Sequence, residues 1–165
     1  AINAILGIKS VMECVNKTFI SSTFWTERIG PTAAIKTLEI MEKNKSWDLL
    51  KNQGLYIKKK WKEIAKRNDL NIQIEGLSAL PKFFFFKDNN ILKTFITQEF
   101  LKKGLLASNT IYLSIEHTKA KLDQYFDILN EVFSKIDRHQ KQGLPIINIL
   151  DGEQSISGLR DNNKN

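Results

Sequence analysis

The chain is poor in the residues that announce small-site chemistry. It has one cysteine in 165 residues, which excludes a disulfide framework. Cys14 stands with Val11 and Val15 on the apolar side of an expected short helix, so it is not read as a nucleophile. The two histidines, His117 and His139, lie far from that cysteine and from any carboxylate cluster, so they do not have the spacing of a metal site. No apolar run approaches the ~20 residues of a membrane span, and Ala1–Leu6 is too short and lacks the basic leader of a signal peptide. A cytoplasmic location without membrane association is the default expectation. Gly-rich nucleotide loops, Gly-x-Ser-x-Gly elbows and zinc motifs are also missing.

What is abundant is lysine. The net charge of +7 opens two readings, a solvated lysine-rich surface or an attraction for an anionic partner such as nucleic acid. The densest cluster, Lys58-Lys59-Lys60 with Lys62, wraps around a helix instead of forming one stripe, which favours the solvated surface. The run Phe83–Phe86 could stack bases if exposed. With no interleaved polar residue it reads first as a core strand. A basic α+β nucleic-acid-binding or structural interaction module therefore stands as the alternative to any enzymatic reading.

Periodicity lays out the elements. Ile2 to Leu6 reads as a short buried strand ending at Gly7, and Lys9–Lys17 as a helix with Val11, Met12 and Val15 inward. Pro31–Glu42 is expected to be a helix carrying Ala34, Leu38 and Met41 at helical spacing. Asn44-Lys45 breaks it, and Ser46 caps a long helix over about residues 47–67. In that helix Leu50, Gly54, Ile57, Trp61 and Ile64 alternate by four and three, drawing one seam. Gly54 in mid-helix marks a close crossing or a bend. Beyond Asn71 the pattern turns α+β. A strand holds Ile72 and Ile74, a second, Phe83–Phe86, is expected to be covered on both faces, and a helix spans Ile91–Lys103 with Phe95, Ile96, Phe100 and Leu101 inward. Gly104 closes that helix and a strand follows at Ile111–Ile115. Thr118 is expected to cap the last helix, which repeats Leu122, Tyr125, Phe126, Leu129, Val132, Phe133 and Ile136 and fades beyond Asp137. Ile146–Leu150 reads as an edge strand, and Asp151–Asn165 as disordered.

One stretch carries chemistry. Phe19-Ile-Ser-Ser-Thr-Phe-Trp-Thr-Glu-Arg-Ile-Gly-Pro31 sets three hydroxyls, Ser21, Ser22 and Thr23, ahead of a helix start, where hydroxyls and backbone N–H groups can cradle a phosphate or carboxylate. A serine-rich capping loop explains the same residues. Arg28 could clamp a carboxylate through its planar fork, and Glu27 beside it could face a substrate. A salt bridge at an interface is the structural counterpart for both. Trp25 fits the wall of a cleft or an interfacial aromatic. Asn3 reads as a strand residue bonded to a neighbouring loop.

Ala1-Ile-Asn-Ala-Ile-Leu-Gly7 followed after a helix by Ser22-Thr23-Phe24 and then a long helix resembles the second half of a class III (fold type I) pyridoxal-phosphate aminotransferase, in the glutamate-1-semialdehyde aminomutase group. The resemblance implies an α/β fragment. Residues 1–45 would end the large cofactor-binding domain, 46–70 would be a connecting helix, 71–137 a small α+β C-terminal domain and 138–165 a largely irregular tail. It implies that Thr23, with Ser22, reaches across a homodimer interface to the phosphate of pyridoxal 5'-phosphate held by the neighbouring subunit. Trp25, Glu27 and Arg28 then border the mouth that admits a small-molecule amino donor and a carbonyl acceptor. The implied reaction is amino-group transfer between the two, or an internal amino shift. After Thr23 many members have a Gly-Asn-Pro-type turn, where this chain reads Trp25-Thr-Glu-Arg-Ile-Gly-Pro31. The lysine that anchors the cofactor precedes the opening strand in the family, so Lys9 does not correspond to it. The opening directly on a strand motif leads to the expectation of a fragment or truncated reading frame, inactive alone.

Overall fold

The computed structural model describes residues 3–20 and 26–156, and the chain divides into two units, Ala1–Ser46 and Trp47–Asn165. The first unit holds a short helix α1 (Lys9–Met12) running into a 3-10 turn at Glu13–Lys17, and helix α2 (Ile29–Asn44). The buried strand expected from Ile2 is not formed over the described residues 3–8, where Ile5 and Leu6 are 85% and 93% exposed. A strand needs a ladder partner for its backbone groups, and the described residues of this unit offer none. Val11, Val15, Leu38 and Met41 were expected to face inward and are exposed, as is Cys14. α2 begins two residues before Pro31, which sits within the first turn where its missing N–H is tolerated. The helix runs two residues beyond the expected Glu42 to Asn44 and breaks at Lys45, which is in the left-handed conformation (φ 47°).

The second unit starts on α3 (Ser46–Arg67). The seam read from the sequence is the buried one, since Ile57 and Trp61 are fully buried and Ile64 nearly so. Gly54 is a close crossing. A Cβ placed there would lie 1.7 Å from the carbonyl oxygen of Ser78. Ser78 belongs to the loop between β1 (Ile72–Glu75) and β2 (Lys82–Phe85), two antiparallel strands with Ile72 opposite Phe85 and Ile74 opposite Phe83. Gly76 leaves β1 at φ 81°, a conformation that favours glycine. β1 has no strand on its outer edge among the described residues.

The expected two-sided burial of Phe83–Phe86 does not occur. Phe83 and Phe85 are buried, Phe84 is half-buried and Phe86 is 65% exposed. Side chains alternate between the faces of a strand, and one face alone enters the core. On the other, Lys82 places its ammonium 4.3 Å from the Phe84 ring. Beside β2, the expected strand at Ile111–Ile115 reduces to a single bridge, Lys82 with Thr110. Ile111 donates to the Pro81 carbonyl (3.1 Å) and Leu113 to that of Ala79 (3.1 Å). Pro81 has no N–H to return the bond, so a regular ladder cannot propagate.

α4 (Asn89–Lys102) buries Leu92, Phe95, Ile96, Glu99 and Phe100. Leu101 was expected inward and is 55% exposed. It lies nine residues from Leu92, half a turn round a helix of 3.6 residues, and the inward position falls to Glu99. α5 (Lys119–Lys141) buries every apolar residue expected of it, adds Ile128, and runs past Asp137. Thr118 occupies its N-cap position without a side-chain bond to the helix. Ile146–Ile149 is a 3-10 turn and not an edge strand. Pro145 starts it, and Asn148 donates to the Pro145 carbonyl (3.0 Å). The described part of the tail, up to residue 156, is bound to α4 and not disordered. The Asp151 amide donates to Gln98 Oε1 (2.8 Å) and the Ser155 amide to Thr94 Oγ1 (2.9 Å).

Glu99 joins these pieces. Its side chain is 7% exposed, and Lys102 donates to Oε1 at 2.6 Å while Lys135 of α5 bonds Oε2. Lys102 also reaches Asp151 at 2.7 Å. Burial pushes the Glu99 carboxyl up, but the bonds from Lys102, Lys135 and Gln98 and the Lys135 charge outweigh it and hold the group at about 2.

Two outcomes are expected. A depressed carboxyl stabilises the fold above its unfolded-state value, and that contribution fades as pH falls through about 4.5 toward 2. Urea unfolding of the chain should lose up to about 3 kcal/mol from this source over that window, and Glu99→Gln should flatten that pH dependence. Gly54→Ala should destabilise by roughly 2 kcal/mol despite alanine's better helix propensity, because backbone must move. An unchanged urea midpoint would contradict the close crossing.

Candidate functional site

Ser22, Thr23 and Trp25 lie outside the described residues, so the site can be built only from its downstream end, at the start of α2. The first amides of a helix have no partner within it and would normally point from its end. Pro31 has no N–H, and Thr32 N already donates to the Arg28 carbonyl (3.0 Å). The amides of Ile29 and Gly30 are held by Glu27. Its carboxylate accepts from Ile29 N, and from Gly30 N at 2.9 Å through Oε2 and 3.2 Å through Oε1. A carboxylate at this point satisfies both the orphan donors and the positive end of the helix dipole.

Glu27 is therefore the anion of this helix end, and the amides expected for a ligand are already taken. The signal was present in the sequence, an acidic residue two and three positions before Ile29 and Gly30. By residue type alone it reads as substrate- or interface-facing beside Arg28. The Arg28 side chain is exposed and forms no hydrogen bond or ion pair among the described residues. Asn3 is exposed on an irregular segment and not in a strand. Lys9 opens α1 on the surface, 3.9 Å from Glu13.

Elsewhere the lysine-rich stretch of α3 disperses. Lys58 donates to the Gly76 carbonyl, while Lys60 pairs with Glu63 at 3.2 Å and lies 5.8 Å from the Tyr56 ring. His117 Nδ1 lies 3.0 Å from the Ser114 amide, which donates to it, and His139 Nε2 lies 3.0 Å from the Pro145 carbonyl oxygen. Among the described residues, no group of three His, Cys, Asp or Glu side chains could hold a metal ion, and no helix is long and apolar enough to cross a membrane.

No protein-family model matches the chain. It is 25% identical over 146 residues to the 3-aminobutyryl-CoA aminotransferase of Cloacimonas acidaminovorans (strain Evry), a match that covers 84% of this chain and 35% of that protein. Its structure matches the FumI protein of Sphingopyxis sp. MTA144 in the PLP internal aldimine form. The TM-score is 0.73 at 21% identity, covering 88% of this chain and 36% of that one. The chain thus has the fold of one part of a PLP-bound enzyme, helix-rich α/β with a small two-stranded sheet. It spans about a third of the length of the curated relative it matches.

If Glu27 is the cap, Glu27→Ala should expose both amides to solvent. Hydrogen exchange at Ile29 and Gly30 should then accelerate by roughly fivefold or more, in line with the ~1 kcal/mol of a lost cap. Glu27→Asp should retain part of the protection.

Proposed function

We propose that this chain is the C-terminal portion of a PLP-dependent aminotransferase of class III and fold type I, working as a cytoplasmic homodimer. The observation that carries it is the agreement of two likenesses. A named aminotransferase and a PLP-bound enzyme each match more than four-fifths of the chain, and each over about a third of its own length. In this reading residues 1–45 end the large domain, 46–70 connect, and 71–137 form the small domain.

The donor chemistry fits the cofactor in one respect and corrects an expectation in another. Ser22 and Thr23 carry the hydroxyls a phosphate dianion takes up without adding a mobile charge. Glu27 keeps the α2 amides out of that set, so hydroxyls and not the helix terminus would hold the phosphate. Thr23 would serve the cofactor of the neighbouring subunit. When bound, pyridoxal phosphate supplies the electron sink for amino-group transfer, and the protein supplies orientation and electrostatics.

The described residues divide the remaining tasks. Arg28, exposed next to the cap, is the group suited to receive a substrate carboxylate through its guanidinium fork. Glu27 acts through the start of α2, holding in place the backbone from which Arg28 projects. Trp25 would wall the substrate mouth. Transamination between an amine and a carbonyl compound is the reaction class, with a glutamate-1-semialdehyde-type amino shift as its variant. The anchoring lysine would lie upstream of Ala1, so this chain alone would be inactive.

The test uses the whole gene product that contains this chain. It should show the visible absorbance of lysine-bound pyridoxal phosphate, and Thr23→Val should weaken cofactor binding by roughly tenfold or more, the range of a charge-assisted hydrogen bond. A gene product with no cofactor absorbance sinks the assignment. Unchanged cofactor affinity in Thr23→Val sinks the role of Thr23 alone.

A further inference from the structure

The second unit contains a groove of about 430 Å³ bounded by α4, α5 and residues 148–151. The proposed amino-transfer chemistry does not use it. Three cations from two helices face it, Lys102 from α4 and Lys135 and Arg138 from α5. Against them stand two carboxylates, Glu99 and Asp151, leaving the groove with an excess positive charge. Glu99 lies buried and takes one bond from each lysine. An ammonium has three donors, so Lys135 keeps N–H groups beyond its Glu99 bond. Arg138 uses Nε on the Ser134 carbonyl at 3.3 Å, leaving its terminal fork for another acceptor. Asn148 and Gln142 add side-chain amides, and Phe95 and Ile149 supply an apolar wall.

We propose that this groove binds the phosphate group of a small phosphate monoester. Glu99 does not compete for the ligand. It anchors the two lysines at fixed positions and so pre-pays the ordering of long side chains that otherwise weakens such sites. Asp151 does compete. Its carboxylate is 66% exposed, is carried on the tail, and already sits on Lys102 at 2.7 Å, the place of an anionic group supplied in cis. A phosphate dianion offers more acceptor oxygens than that carboxylate and can engage the Arg138 fork as well. The groove volume exceeds what a bare phosphate fills, so the organic body of a monoester gains contact with Phe95 and Ile149. This inference stands apart from the cofactor reading and survives its failure.

The 165-residue chain, isotope-labelled, would be titrated with glycerol 3-phosphate and separately with inorganic phosphate, following amide shifts. Saturable binding on the order of millimolar is expected for the monoester, with shifts centred on residues 135–151. Arg138→Gln should weaken it by roughly tenfold or more, and Asp151→Asn should tighten it by roughly threefold because the competing carboxylate is gone. Lys62→Gln, which removes one exposed charge on α3, should leave it unchanged within about twofold. Several results would overturn the site: no saturation with either probe, equal weakening by Lys62→Gln and Arg138→Gln, or weaker binding in Asp151→Asn. Inorganic phosphate binding as tightly as the monoester would overturn the assignment to esters.

Discussion

An indole N–H cannot be left unpaired in a dry interior, because its lost hydration is not returned by packing. Trp61 is fully buried, and its Nε1 donates to the Tyr125 hydroxyl at 3.0 Å. Burial pushes the Tyr125 phenol up, so it stays neutral and available as the acceptor. That bond ties α3 to α5 at one register. The ring of Trp61 meets Phe83 edge-on, with centroids 4.8 Å apart, which brings in β2. From Phe83 the contacts pass to Phe85 and Phe133, both edge-on at 5.8 Å. Tyr125 also stacks at a tilt on Phe100 of α4. The remaining elements of the unit are placed by this one satisfied donor and the rings around it.

A second constraint acts earlier in the same helix. Gly54 admits the Ser78 carbonyl where any side chain would collide, so the hairpin loop sits against α3 backbone. About two helical turns separate the two fixings, and between them α3 has little freedom to slide or rotate. The groove between α4 and α5 inherits that rigidity, because both helices are packed on the core that Trp61 organises. Nothing comparable exists among the described residues of the first unit. Its described apolar side chains are exposed or half-buried, and its order at the start of α2 comes from the carboxylate of Glu27.

Sequence periodicity was a good guide wherever burial followed one helical stripe. The α3 seam, the α5 stripe and the breaks at Lys45, Gly76 and Gly104 all appear where residue spacing placed them. It failed where the outcome depended on a partner elsewhere. Phe83–Phe86 looks like a two-sided core strand until the number of covering layers is known. Ile111–Ile115 looks like a strand until its neighbour turns out to carry Pro81. Ile146–Leu150 looks like an edge strand, but the turn set by Pro145 takes Ile146–Ile149 first. Charged residues were the hardest to read. Glu27 and Glu99 both serve the fold locally, one on helix amides and one under two lysines. Residue type alone gives Glu27 a substrate or interface role and leaves Glu99 unmarked. The hydroxyls of Ser22 and Thr23 were legible only as chemistry, and their geometry lies beyond the described residues.

The open side of β1 has a consequence for how this protein behaves in concentrated solution. Its outer backbone groups meet no strand among the described residues, and such an edge can template a neighbouring molecule. Here the exposure is short, four residues ending at Gly76 with its left-handed φ. The outward side chains are Gln73 and Glu75, both exposed. Two copies paired in parallel register would bring their Glu75 carboxylates close together, and the turn at Gly76 would steer the next residue out of line. The same four residues that complete the hairpin thus carry their own barrier to fibre-like association.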